Sequence, residues 1–395
     1  MIERALSTHL LEVCERYPVV TLTGPRQSGK TTLCRMVFPE RPYVSLENPA
    51  ERAFAVDDPV GFLARFADGA VLDEVQRAPD LVSYIQVIVD EDPRPGRFVL
   101  TGSQNLTLMS RVSQSLAGRT ALLELLPLDL EELHRFPGAA GDLETVLWQG
   151  GYPRIHDRRL PADEWLAGYV ATYVERDVRQ LVRIGDLLQF RTFLRLCAGR
   201  VGQLLNLSAL ATECGISQPT ARSWLSVLEA SYLVFRLAPL HANFGKRLVK
   251  TPKLYFYDSG LAASLLGIEE PDQLLTHPLR GALFEGFVVA EVLKRERHRG
   301  HRPRMYFYQE RGRLEVDLVL DRSGRLTAIE IKAGKTPSTG YFSGLAQFSA
   351  RFEADSGSQW TLADRIVVYA GRESQHRSKG RLVAWHDLVK ERWSD

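Results

Sequence analysis

Apolar residues follow two rhythms along the first 155 positions. Residues 19–23, 43–47, 69–73, 97–101 and 121–126 are short, nearly continuous apolar runs, the pattern of strands buried on both faces. Residues 1–16, 32–37, 50–67 and 81–89 have helical character, and in 1–16 the apolar positions recur at helical intervals. Strand alternating with helix predicts a mostly parallel sheet covered on both faces, with functional groups at the carboxyl ends of its strands. Beyond residue 155 the rhythm changes. Residues 165–184 and 207–225 are helical, and 232–237 and 253–257 are rich in strand formers. Residues 282–293 make an apolar helix, and 314–321 and 325–332 are strands flanking a Ser323-Gly324 turn. The expected organisation is three domains, over 1–155, 156–275 and 276–395.

The first strand and the helix after it are separated by Gly24-Pro25-Arg26-Gln27-Ser28-Gly29-Lys30-Thr31, and Thr32 follows inside the helix. The spacing is G-x-x-x-x-G-K-T in a strand–loop–helix context, a phosphate-binding loop. Its glycines permit backbone conformations that other residues avoid. The loop N–H groups and the helix N-terminus present positive charge to a polyphosphate. Lys30 is expected to reach the β- and γ-phosphates and Thr31 to ligate Mg²⁺.

About forty residues on, an apolar run ends in Asp73-Glu74, the pattern of a Walker B strand. Asp73 is expected to hold the Mg²⁺ shell and Glu74 to polarise the attacking water. The strand at 97–101 ends in small polar groups, of which Thr101, Ser103 and Asn105 are candidates for sensing the γ-phosphate or for plain helix capping. Arg119 is either a charge-stabilising arginine acting on a nucleotide or a surface residue.

Residues 207–225 read as helix, Gly215 turn, Ser217 cap, helix, with Pro219 tolerated in the first turn of the second helix. The following strands suit the wing of a winged helix. Arg222 on the second helix and Lys246, Arg247 and Lys250 in the wing are candidates for contacts to DNA phosphates, with protein docking the alternative. In the C-terminal hairpin, a two-residue turn sets Asp317 opposite Glu330 and Glu315 opposite Lys332, all on one face. Such a set suits metal-assisted phosphodiester hydrolysis. Asp317 and Glu330 would bind Mg²⁺, Glu285 would be a further ligand and Lys332 would orient the water. An inactive nuclease-like fold and a solvated ion-pair ladder remain the alternatives. Residues 294–304 carry six Lys/Arg and one Glu, a local basic patch.

Composition narrows these readings. The chain has 395 residues, a net charge of +2, 45% hydrophobic and 25% charged residues, so any nucleic-acid surface is local rather than global. Four scattered cysteines form no C-x-x-C pair, which argues against zinc and disulfides and suits a reducing cytoplasm. Glu3, Arg4 and Glu12 interrupt the N-terminus, so no signal peptide is expected, and no uncharged run approaches the ~20 residues of a membrane helix.

The chain resembles a prokaryotic family of AAA-type ATPases. The shared motifs are the loop at Gly24 to Thr32, Leu-Asp-Glu-x-Gln at Leu72 to Gln76, and Leu-Thr-Gly-Ser at Leu100 to Ser103. Ser-Leu-Ala-Gly-Arg at Ser115 to Arg119 and Gly-Gly-Tyr-Pro at Gly150 to Pro153 also match. The resemblance implies a C-terminal region built as a winged helix joined to a PD-(D/E)xK nuclease-like domain, matched by Glu285, Asp317, Glu330 and Lys332, with Val316 standing where the motif has proline. The expected fold class is therefore α/β: an AAA-like P-loop NTPase domain, then a helical and winged-helix domain, then an α/β nuclease-like domain. The expected function is Mg²⁺-dependent ATP binding and hydrolysis acting on DNA. The alternative is a regulatory NTPase switch, of defence or toxin–antitoxin type, whose C-terminal domains bind a partner without cleavage. The partners expected are ATP and DNA, with a protein partner and self-association as options and no membrane.

Overall fold

The computed structural model describes residues 2–103, 114–138, 141–174, 187–240, 249–310, 314–354 and 360–393. They form two compact units. One contains Met1–Pro127 with Glu229–Tyr232 and Arg297–Gly300; the other contains Leu128–Leu228, Leu233–Glu296 and His301–Asp395.

The first unit is built on β1 (Val19–Thr23), β2 (Tyr43–Ser45), β3 (Ala70–Asp73), β4 (Phe98–Thr101) and β5 (Thr120–Glu124). The order is β2-β3-β4-β1-β5, and every pair is parallel. Alternate residues of these strands feed two separate cores. Val19, Leu72, Phe98 and Leu100 pack with Leu81, Val82, Ile85 and Val89 of the helix Leu81–Glu91 on one face. Val20, Leu22, Val71 and Val99 pack with Leu6, Leu10 and Val13 of the helix Leu6–Cys14 on the other. Burial on both faces explains the continuous apolar runs. Because β4 lies between β1 and β3, its carboxyl end stands between the phosphate loop and Asp73-Glu74.

The second unit contains β6 (Val234–Pro239), β7 (Lys253–Phe256), β8 (Arg304–Glu310), β9 (Leu314–Arg322), β10 (Arg325–Lys332), β11 (Thr361–Tyr369), β12 (Gln375–Arg377) and β13 (Gly380–Ala384). These form one sheet in the order β12-β13-β11-β10-β9-β8-β6-β7. The strands expected in a separate middle domain, β6 and β7, thus share a sheet with those of the C-terminal segment. Helices Leu207–Cys214 and Gln218–Ala230 flank Gly215, whose φ of 66° ends the first, and the Ser217 hydroxyl accepts from the Thr220 N–H at 3.2 Å to cap the second. β6 and β7 then pair antiparallel.

The β9–β10 hairpin turns at Ser323 (φ 53°) and Gly324 (φ 89°), a left-handed two-residue turn of the kind that matches strand twist. Pairing runs from Arg322/Arg325 to Leu318/Ile329. The ladder stops there, short of the expected pairs Asp317–Glu330 and Glu315–Lys332. Against β8, three residue steps of β9 (Val319 to Val316) match two of β8 (Tyr306 to Tyr308), which is a bulge. Leu318 and Leu320 accordingly enter one core while Leu314, Val316 and Val319 enter another.

Candidate functional site

β1 delivers the phosphate loop into a tight space. Gly24 has φ 146°, and a Cβ on it would lie 2.1 Å from the Leu125 carbonyl oxygen, so no other residue fits. Gln27 (φ 64°) and Gly29 (φ 95°) supply the left-handed turns of the loop, and the helix Lys30–Val37 starts directly after Gly29. The Lys30 ammonium is buried and folds back on the loop, donating to the Gly24 carbonyl at 3.0 Å and the Pro25 carbonyl at 2.7 Å. Burial lowers its pKa to about 8 against the opposing pull of Glu74 and Asp73. Arg26 bears electrostatically on both Lys30 and Glu74. The Ser28 hydroxyl is buried with no partner among the described residues, and Thr32 is exposed on the helix.

The Thr31 hydroxyl donates to Asp73 Oδ2 at 2.9 Å. Tyr43 from β2 and Thr101 from β4 donate to the same carboxylate. Three neutral hydroxyls therefore hold Asp73 beside Thr31, a hard-oxygen set that fits Mg²⁺. Glu74 takes φ 59°, which turns its side chain out of the strand line. Its carboxylate accepts from the Gln76 amide and from the Ser103 hydroxyl at 3.4 Å, and Gln76 also donates to Ser103 at 3.1 Å. Burial raises the Glu74 pKa, with Lys30 pulling the other way. Ser103 thus sits on Glu74, whereas Thr101 sits on Asp73, and Asn105 lies outside the described residues. Tyr43 and Gln76 carried no assigned role in the sequence. Gln76 closes the shared Leu-Asp-Glu-x-Gln motif, but the motif gives it no task, and a strand tyrosine gives no pattern at all.

Arg119 is placed elsewhere. It precedes β5, whose first residue Thr120 pairs with Val19 at the amino end of β1, and it forms an ion pair with Asp90. The phosphate loop leaves the opposite end of β1, so Arg119 does not reach a nucleotide bound by its own loop.

In the second unit the four predicted residues converge. Asp317 and Glu330 are both buried, each 8% exposed, and Lys332 pairs with Glu330. At the bulge the Asp317 Oδ2 accepts the Ile331 N–H at 2.7 Å, so a side chain closes the hairpin where the backbone ladder stops. Burial pushes the Asp317 carboxyl well up, reinforced by Glu285 and Glu330, and burial likewise raises Glu330. Sequence reading missed the centre of the cluster. The Lys253 ammonium on β7 sits 3.1 Å from Glu285 Oε1 and 2.6 Å from Glu315 Oε1, and the Tyr255 hydroxyl donates to Glu285 at 2.6 Å. Burial opposes the charge on Lys253, but Glu285, Glu315 and Asp317 outweigh it and hold its pKa above the ordinary range. A lone lysine opening a strand gave no sign of this.

The cluster offers carboxylates, the ligand type of a hard divalent cation, and Glu330 Oε2 is buried with no partner among the described residues, but no three of these carboxylates bring ligand oxygens within 4.8 Å of one another, so a metal ion would have to draw them together. The basic patch is smaller than expected. Lys294 and Arg295 are buried, with Lys294 donating to the Leu128 carbonyl at 2.8 Å and Arg295 to the Val389 carbonyl at 2.8 Å. Arg222 is exposed on its helix, as is Lys250 ahead of β7; Lys246 and Arg247 lie outside the described residues.

Comparison with known proteins separates the two units. Residues 16–134 match an AAA domain, whereas 140–272 and 280–388 match two domains of unknown function, DUF8612 and DUF4143. "Uncharacterized protein Rv2008c" of Mycobacterium tuberculosis (strain ATCC 25618 / H37Rv) and "Uncharacterized protein Mb2031c" of Mycobacterium bovis (strain ATCC BAA-935 / AF2122/97) are each 38% identical over 341 residues, 85% of this chain and 75% of theirs. The chain belongs to their family. Its first unit is that of an AAA-type P-loop ATPase. Among solved structures, the Walker-type ATPase PABY2304 of Pyrococcus abyssi aligns with TM-score 0.45 and 19% identity over 66% of this chain and 94% of its own. A single-residue variant of Thermotoga maritima RuvB aligns with TM-score 0.32 and 19% identity over 58% of this chain and 88% of its own. No described helix of this family member is long and apolar enough to cross a membrane.

Proposed function

We propose that this protein is a Mg²⁺-dependent ATP hydrolase whose second unit acts on DNA through its helix-turn-helix and its carboxylate cluster. The supporting observation is the convergence of Glu285, Asp317, Glu330 and Lys332, from a helix and two strands, on one partly buried site. In the first unit the loop N–H groups and Lys30 bind the phosphates. Thr31 and Asp73 hold Mg²⁺, which would neutralise phosphate charge. Glu74, oriented by Gln76 and Ser103, takes up the proton of the attacking water. In the second unit Asp317, Glu330 and Glu285 are the ligands of a divalent cation that would activate water, and Lys332 offsets charge that develops on the phosphodiester. Arg222 and Lys250 meet phosphates of the duplex.

The presence of Lys253 inside the cluster favours a second reading: a switch that uses ATP but binds its partner without cutting it. One assay separates the two. Purified protein is incubated with Mg²⁺ or Mn²⁺, ATP, and single- or double-stranded DNA. Cleavage that disappears in Asp317→Ala supports the nuclease. ATP turnover without cleavage of any substrate sinks it and leaves the switch. The ATPase assignment is tested by Lys30→Ala, in which ATP binding or turnover should be lost; normal turnover in that variant would overturn it.

A further inference from the structure

We propose that Lys253 is a built-in cation of the carboxylate cluster and competes there with a divalent metal ion. The inference rests on the metal-binding reading given above but not on DNA cleavage. Its ground is geometric. The Lys253 ammonium bridges Glu285 of the helix Arg280–His298 and Glu315 of β9, at 3.1 and 2.6 Å, the kind of bridge between elements that a divalent ion would make. Its side chain is 4% exposed, and the Phe307 ring lies 5.4 Å from the ammonium, so the charge is held inside rather than laid on the surface. Elsewhere in the cluster Glu330 Oε2 is buried and lacks a partner among the described residues. The cluster therefore has one position filled by an ammonium and one ligand oxygen left open.

Four carboxylates (Glu285, Glu315, Asp317, Glu330) face two ammoniums (Lys253, Lys332). Removing Lys253 takes one positive charge out of the cluster, and it frees oxygens of Glu285 and Glu315. Both changes favour a doubly charged ion. Glu315 and Lys332 are partly exposed, at 42% and 36%, which gives the ion a way in.

The test is Mn²⁺ binding to the nucleotide-free full chain, read by electron paramagnetic resonance of free Mn²⁺. Lys253→Met should bind Mn²⁺ about tenfold or more tighter than the wild type, and adding Asp317→Asn should abolish the gain. Equal or weaker binding in Lys253→Met would overturn the proposal, as would a gain that survives Asp317→Asn. Should Lys253→Met be unfolded in chelator, recovery of its circular dichroism on adding Mn²⁺ supports the proposal. Failure to recover, with Lys253→Arg folded, shows Lys253 to be a structural counter-ion only and overturns it. Because the readout is metal binding, tight Mn²⁺ binding without DNA cleavage refutes the nuclease and leaves this inference standing.

Discussion

Gln76 is the residue through which the orientation of Glu74 can be tested. Its amide donates to the Glu74 carboxylate and to Ser103 at 3.1 Å, while Ser103 itself is only 3.4 Å from Glu74. Gln76→Leu keeps the bulk and removes the donor, leaving the long Ser103 contact to hold the carboxylate. A hydrogen bond to a charged group contributes about 1.5–3 kcal/mol. If all of it acts on the transition state, kcat falls roughly 10- to 150-fold. Gln76 lies outside the phosphate loop and contacts Glu74 and Ser103, so affinity for a fluorescent ATP analogue should stay within about twofold. The pH profile supplies a second reading. Burial raises the Glu74 pKa, and the Gln76 bond lowers it. A base must be ionised to accept a proton, so turnover rises with pH through the Glu74 pKa. In Gln76→Leu that rise should move to higher pH. Unchanged kcat, or a loss matched by equal loss of affinity, would refute the argument that Gln76 positions the base.

Other expectations test other parts of the molecule. Gly24→Ala drives a Cβ to 2.1 Å from the Leu125 carbonyl at a φ of 146°, so soluble protein with normal ATP binding would contradict the loop geometry. Arg119→Ala removes an exposed ion pair with Asp90 at the amino end of the sheet; ATP turnover in dilute protein should change less than about twofold, and a large loss there would place Arg119 at the site after all. All four cysteines are buried, and burial raises the thiols, Cys14 to about 11, so a native thiol titration at pH 8 should show no rapid reaction; one fast stoichiometric thiol would contradict the packing. Lys30 has its pKa lowered to about 8, so its charge is lost as pH rises through that value. Affinity for ATP should fall about tenfold between pH 7 and pH 9, and a flat profile would show that phosphate binding does not depend on the Lys30 charge.

The first unit was legible because its chemistry is local. The loop motif from Gly24 to Thr32 runs straight into its helix, and the spacing that carries Lys30 and Thr31 is fixed by backbone geometry. Asp73 was legible because an apolar run closes on two acids about forty residues after the phosphate loop. The contacts of Gln76 with Ser103 and of Tyr43 with Asp73 were not, because they depend on which strand lies beside which, and β2, β3 and β4 come together only in the sheet. The hairpin turn was readable from Ser323-Gly324, and with it the pairing as far as Leu318 and Ile329. The bulge was not, because an extra residue in β9 shows only against its partner β8. Lys253 was hidden for the same reason: it lies 32 residues before Glu285 and 62 before Glu315, so no local pattern joins them.

The two acid sites answer the same electrostatic problem differently. At Asp73 the neighbours that touch the carboxylate are hydroxyls from Thr31, Tyr43 and Thr101. Hydroxyls orient a carboxylate and leave its charge in place, so the demand for a cation persists until one arrives with the nucleotide. At the second cluster the neighbours include two ammoniums, which cancel charge as well as orient it. A site held by ammoniums keeps its geometry without metal, and metal must displace an existing partner to enter. The first arrangement suits a centre that loads and unloads on every ATP cycle. The second suits one that stays closed to metal until something moves Lys253.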